Sequence, residues 1–492
     1  MMQAWESRSG FTQGSPPNSY FTIRNMDTFH NVSRMHRLNA IARSQERVFC
    51  LLSNRAPIAA LIAIGSAALL LPSPGWAQDW GKKWIATWAA SPQGPYPAGA
   101  AVAQPDLSFA LPTGSTHGAI EQTFRLIIKP DLWGDIIRLR FSNNFGAQAV
   151  TLGSTTVALQ NYAGNVVPDT ITKVTFSGNA SVIIPVGQEI YSDPVRLRLG
   201  GDSEDPALIG RKLAVSEYVK GTSGPLTWHA KGMTTSYITP QNSGDHTGDT
   251  DDAAYPFSTT SWYFLDAIDV MADKDTAVIC AFGDSITDGT STTINGDDRW
   301  SNDLSRRLHE AYGNKVSIVN EGIGGNTVIN PPATGPAAVD RLDRDVLGLS
   351  GLTSVVWLEG INDLGAGHAV SDIIAGYVNV VQRLHTAGIK VVVGCTLTSA
   401  LLSTGSDGGP AADANRKILN TYIRTPGNFD SIADFDAATF DPSTGGMQPE
   451  FVPNSSIGGA GDNLHPNRAG YQAMANTIDL KVLAPPQQKP PR

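Results

Sequence analysis

The chain has little cysteine, little charge and no basic run. Three cysteines occur among 492 residues, Cys50, Cys280 and Cys395. That is too few for a disulfide framework. Cys280 and Cys395 each sit in an apolar, β-rich run, where a small buried thiol is the expected state. Charged residues make up 16% of the chain and the formal net charge is −9, which excludes the electrostatic footprint of a nucleic-acid binder. Three catalytic signatures are also missing. No Gly-x-Ser-x-Gly occurs, so the nucleophile elbow of the α/β-hydrolases is absent. The nine histidines include no His-Glu-x-x-His or other tight ligand cluster, so no metal is expected. No Gly-x-Gly-x-x-Gly follows a strand, which excludes a dinucleotide enzyme, and no cofactor is expected.

What is present is a globular composition, 41% hydrophobic, in a chain too long for one ordinary core. Two domains after a leader are expected. The apolar run Ala56–Leu71 follows Arg43, Arg47 and Arg55 and precedes Pro72, Ser73, Pro74, Gly75, Trp76 and Ala77. That is the order of a secretory signal peptide, with cleavage after Ala77 and a secreted or periplasmic product. The run is bounded by Pro57 and Pro72 and is short for a membrane span, so the mature chain is expected to have none. Residues 1–34 lengthen the n-region beyond the normal, and translation from Met35 instead of Met1 would remove the excess.

Residues 80–270 read as an all-β sandwich or jelly roll. The β-branched runs Phe124–Lys129 and Ile136–Ser142 flank a turn-rich stretch and read as a hairpin. Further short strands follow, with Gly and Pro turns between them and no helical period. The aromatics Trp84, Trp88, Trp228, Trp262 and Tyr263 could present a sugar-stacking surface, but Trp in a sandwich belongs more often to the core. The stretch Asn242–Asp252 is rich in Asp and Gly. It does not have EF-hand spacing and reads as a solvated loop.

From Lys274 the texture changes, and residues 274–485 form the second domain. Apolar strands at Thr276–Phe282, Val316–Asn320, Ser354–Glu359, Lys390–Thr398 and Ser431–Phe435 alternate with helices at Arg299–Tyr312, at Asp372–Thr386 and from Arg468. Strands apolar throughout indicate a parallel sheet covered on both faces. Ligand chemistry in such sheets sits at the carboxyl ends of the strands. There the chain reads Gly283-Asp284-Ser285, then Asn320-Glu321-Gly322-Ile323-Gly324-Gly325-Asn326, then Glu359-Gly360-Ile361-Asn362-Asp363, and finally Asp462-Asn463-Leu464-His465-Pro466. A serine hydroxyl needs a base to attack an ester carbonyl, and His465 can supply it. Asp462 can bond the far ring nitrogen and hold the tautomer. The Ser285 N–H, a glycine N–H from Gly324 or Gly325, and the Asn362 amide can serve as oxyanion donors. The loops Ser399–Asn415 and Asp441–Gly461 are long and Gly-rich and are expected to shape the pocket.

These four segments resemble blocks I, II, III and V of the SGNH (GDSL) hydrolase superfamily, over roughly Thr276 to Leu480. The β-rich first half is similar to that of the XynE-like branch. The resemblance implies a flavodoxin-like fold, ester hydrolysis without a metal, and Gly325, directly before Asn326, as the glycine donor. It points to a secreted serine esterase acting on short acyl, acetyl esters of a carbohydrate, with a small-molecule or polysaccharide substrate. Two other readings stand beside it: a short-chain acylhydrolase on lipids, and a surface carbohydrate-binding protein with a vestigial hydrolase domain.

Overall fold

The computed structural model describes residues 81–486 apart from 100–106, 109, 113–117 and 201–204. The expected leader over residues 1–77, its cleavage site after Ala77 and Cys50 lie outside the described residues.

The strand Ala277–Gly283 is buried at every position, as a strand covered on both faces must be. It lies inside a five-stranded parallel sheet in the order Val316–Gly322, Ala277–Gly283, Leu352–Leu358, Val391–Cys395, Ser431–Ala433. Numbered along the chain this order is 2-1-3-4-5, the flavodoxin-like arrangement expected from the sequence. The chain reverses its direction of travel between the first and third strands, so a crevice opens at their carboxyl ends. The helices Trp300–Tyr312 and Val370–Thr386 pack on it through Trp300, Leu304 and Leu308 and through Ile373, Tyr377, Val380 and Leu384. The closing helix spans Arg468–Asn476. Cys280 and Cys395 are separate buried thiols.

One helix departs from the sequence reading. Gly409–Arg424 is helical, so the expected loop Ser399–Asn415 ends in a helix. Its buried face includes Asp413, Arg416 and Asn420 beside Leu419 and Ile423, which hides the apolar period. Arg416 is satisfied by Asp413, by Asp436 and by the Leu397 carbonyl. Polar groups paired in this way can be buried without losing hydrogen bonds.

The β-rich first half forms two larger antiparallel sheets. One joins Lys82–Ala89, Leu265–Asp273, Ile136–Ser142 and Glu189–Tyr191. The other is built on Ile120–Ile128, Leu213–Thr222 and Val150–Tyr162. The expected hairpin is therefore corrected: Ile120–Ile128 and Ile136–Ser142 belong to different sheets. The segment between them is pinned to Thr87, whose hydroxyl bonds Leu132 and whose carbonyl accepts the Asp131 N–H. Trp88, Trp228, Trp262 and Tyr263 are buried in the core, and Trp84 is partly buried under the Arg138 guanidinium. In Asn242–Asp252 the carbonyls of Asp249 and Asp251 accept from the buried Arg125 guanidinium, so a cation already organises this loop.

The β-rich half packs directly on the parallel sheet. The Ala86 N–H bonds the Ser350 carbonyl, the Ser317 hydroxyl bonds the Ala86 carbonyl, and the Ser91 hydroxyl bonds Glu321. One continuous apolar core runs through both. Among the described residues no helix is long and apolar enough to cross a membrane.

Candidate active site

Ser285 begins a one-turn helix, Ser285–Asp288, directly after the first parallel strand. Asp284 caps that turn by accepting the Ile286 N–H at 2.9 Å. The Ser285 hydroxyl donates to His465 Nε2 at 2.7 Å. His465 Nδ1 donates to Asp462 Oδ2 at 2.6 Å. An ionised carboxylate only accepts, so the proton sits on Nδ1 and the Nε2 lone pair faces the hydroxyl. Asn463, at φ 57°, turns the chain so that Asp462 Oδ1 takes the N–H groups of Leu464 and His465. Burial opposes ionisation of Asp462, but the bond from the His465 ring and those two N–H groups outweigh it. They hold the carboxyl well below the usual carboxylate range.

Gly325 follows the second strand at φ +76°, a conformation glycine adopts without penalty. The Gly324 N–H donates to Asp288 Oδ2 at 2.9 Å and is occupied. No hydrogen bond within the described residues uses the N–H of Gly325 or of Ser285. Asn362 follows the third strand and donates one amide hydrogen to the Asn326 carbonyl at 2.8 Å, which leaves its second hydrogen available. The structure thus joins Ser285, His465 and Asp462 by hydrogen bonds and places Gly325 and Asn362 on adjacent, bonded loops.

Residues 281–473 match the model of the GDSL-like Lipase/Acylhydrolase family. They are a GDSL-like acylhydrolase domain. Among solved structures the domain is similar to a native aryl esterase of M. smegmatis (17% identity, 42% of this chain and 100% of that one, TM-score 0.33). It is also similar to a GDSL-like lipase of Bacteroides thetaiotaomicron (18% identity, 42% and 88%, TM-score 0.32). A third is an alpha/beta hydrolase enzyme from the metagenome of Lake Arreo (22% identity, 42% and 94%, TM-score 0.32). No curated protein matches the chain.

Sequence reasoning missed Arg341, which knits the loops of the acylhydrolase domain together. Its fully buried guanidinium donates to the Gly283 carbonyl, the Glu321 carbonyl, the Asn326 side chain, Ser91 and Asp345, and lies 4.2 Å over the Phe282 ring. Only Asp345, four residues on, is a local partner; the others come from three distant segments, around Ser91, Gly283 and residues 321–326, so no local pattern marks the role. Among the described residues no group of three or more His, Cys, Asp or Glu side chains is arranged around a metal position.

Beneath Ser285 the Asp284 carboxyl is pushed up to about 7. Burial is the main cause. Asp363 and Asp288 add to it, while the Ile286 N–H and Arg341 oppose it. An unfolded Asp ionises near ~3.9. The folded chain therefore holds this proton more tightly, and the stability it contributes is complete below that value and lost as pH rises through about 7. Asp284→Asn cannot ionise and keeps an acceptor for the Ile286 N–H. Between about pH 4 and pH 8 its unfolding free energy should gain on that of the wild type by roughly 4 kcal/mol, from some three pKa units. Urea melts across that range check this, and parallel pH profiles would exclude Asp284 as the cause.

Proposed function

We propose that this protein is a serine esterase. Ser285 Oγ bonds to the acyl carbon of an ester while its proton passes to His465 Nε2. His465 then gives that proton to the departing alcohol. Water repeats the sequence on the acyl-enzyme, releasing the acid and restoring Ser285. Asp462 holds the imidazole in the required tautomer. The N–H groups of Ser285 and Gly325 and the amide of Asn362 receive the negative charge that develops on the carbonyl oxygen. The observation that carries this reading is the unbroken hydrogen-bond chain from Ser285 through His465 to Asp462, at 2.7 and 2.6 Å, on the catalytic edge of the parallel sheet.

Within that class we propose a short acyl, acetyl ester of a carbohydrate as substrate. The β-rich half resembling the XynE-like branch supports this, and export with cleavage after Ala77 is part of the same proposal. The purified chain should turn over p-nitrophenyl acetate, with no loss on adding EDTA. Turnover should fall as the acyl chain lengthens, and acetylated xylan should release acetate. Failure on every ester overturns the reading. Turnover of short-chain lipid esters with no acetate from acetylated xylan makes the protein a lipid acylhydrolase instead. N-terminal sequencing of exported protein should find Gln78, and retention of Ala56–Leu71 overturns the export proposal.

A further inference from the structure

One short stretch of the β-rich half, Trp228 to Lys231, reaches the catalytic edge of the parallel sheet. His229 is buried and stacked on Trp262, with ring centroids 5.5 Å apart. Its Nδ1 donates to the Ser91 carbonyl at 2.9 Å, and its Nε2 faces Asp288 Oδ1 at 3.2 Å. The other oxygen of Asp288 accepts the Gly324 N–H at 2.9 Å. Asp288 therefore joins a side chain of the β-rich half to the peptide that adjoins Gly325. Arg299 secures the same residue from behind, bonding the Asp288 and Gly232 carbonyls at 2.6 and 2.8 Å.

Lys231 closes on this loop from another side. It is only 7% exposed, and its ammonium donates to the Thr290 hydroxyl at 2.5 Å. A Cβ built on Gly324 would lie 3.1 Å from Lys231 Nζ, so the ammonium rests against the bare glycine. Thr290 in turn donates its N–H to the Ser285 carbonyl at 3.0 Å. The ammonium thus spans the glycine loop and the segment that follows the nucleophile. Burial lowers its pKa, against the pull of Asp288, Asp284 and Asp462.

A loop of two successive glycines has more backbone freedom than any other dipeptide. Oxyanion stabilisation depends on donors fixed before charge develops. A hydrogen bond to a carboxylate is among the stronger ways to fix a peptide. We propose that His229, Asp288 and Lys231 are positioning residues that lock the Gly324 peptide and thereby aim the Gly325 N–H at the oxyanion. The β-rich half is on this account part of the catalytic apparatus. The inference rests on the esterase reading and on Gly325 as donor.

The test compares the full chain with Asp288→Ala, Asp288→Asn and Lys231→Met, on p-nitrophenyl acetate and in thermal melts. Asp288→Ala should lower kcat about ten- to hundredfold and leave KM within about threefold, because the lost alignment matters mainly in the transition state. Asp288→Asn keeps an acceptor for Gly324 and an amide for His229, and should recover most of that loss. Lys231→Met should lower kcat by about tenfold, with the same split. Folded Asp288→Ala and Lys231→Met with wild-type kcat overturn the proposal. So does a change in KM alone, or an Asn variant as impaired as the Ala variant. Should Asp288→Ala fail to fold, Lys231→Met decides. A wild-type chain inactive on every ester overturns the esterase reading instead.

Discussion

Ser285→Ala is expected to lower kcat/KM on p-nitrophenyl acetate by about 10⁴-fold or more, the largest effect of any single substitution in this chain. Without Oγ no acyl-enzyme forms, and the remaining groups can only polarise the carbonyl for attack by water. The fold should survive. Ser285 is 5% exposed, and its hydroxyl makes one hydrogen bond, to His465, which has Asp462 as a second partner. Loss of one such bond costs about 1 kcal/mol. A far-ultraviolet spectrum and a melt establish folding, and a steady-state assay with an active-site titration separates residual turnover from contaminating esterase. A folded variant within tenfold of the wild type would remove Ser285 from the mechanism, and with it the role of His465 as base.

The second large effect is expected at Asn362. Asn362→Ala should reduce kcat by about 10²- to 10³-fold with a much smaller change in KM, since the donor acts on the charge of the transition state rather than on the ground-state carbonyl. Part of the loss could arise indirectly, because the amide also bonds the Asn326 carbonyl at 2.8 Å. That contact is worth about 1 kcal/mol of stability, so a melt shows how far the loop has loosened. A variant that melts close to the wild type and loses activity only through KM would make Asn362 a ground-state binding residue.

The elements that carry the proposed site were readable because of how a doubly covered parallel sheet constrains its strands. Ala277–Gly283 is buried at every position, so it reads as an unbroken apolar run, and the residues that follow it must stand at the sheet edge. The same logic located the turns ahead of Gly325 and Asn362. The strand boundaries moved by only a few residues. Asp462 and His465, three apart on one loop, are close enough for their contact to follow from local geometry alone.

Other features depend on segments distant in sequence. Ile120–Ile128 and Ile136–Ser142 look like a hairpin, but each pairs with a distant strand, Leu213–Thr222 and Leu265–Asp273, and their connection is pinned to Thr87. Gly409–Arg424 lacks a visible apolar period because its buried face is polar and is satisfied by groups such as Asp436 and the Leu397 carbonyl.

By itself, then, the sequence determined the strand-and-helix alternation of the second half, the edge at which the proposed site lies, and the residue types gathered there, since burial on both faces dictates composition locally. Tertiary structure alone decided which glycine N–H remains available. The residue types left Gly324 and Gly325 both open, with the family resemblance pointing to Gly325, and what separates them physically is Asp288, in contact with His229 from a different part of the chain, accepting one N–H and leaving the other. The same holds for Arg341, whose partners Ser91, Gly283, Glu321 and Asn326 converge only on folding, because a buried guanidinium is stable only where acceptors are brought to it.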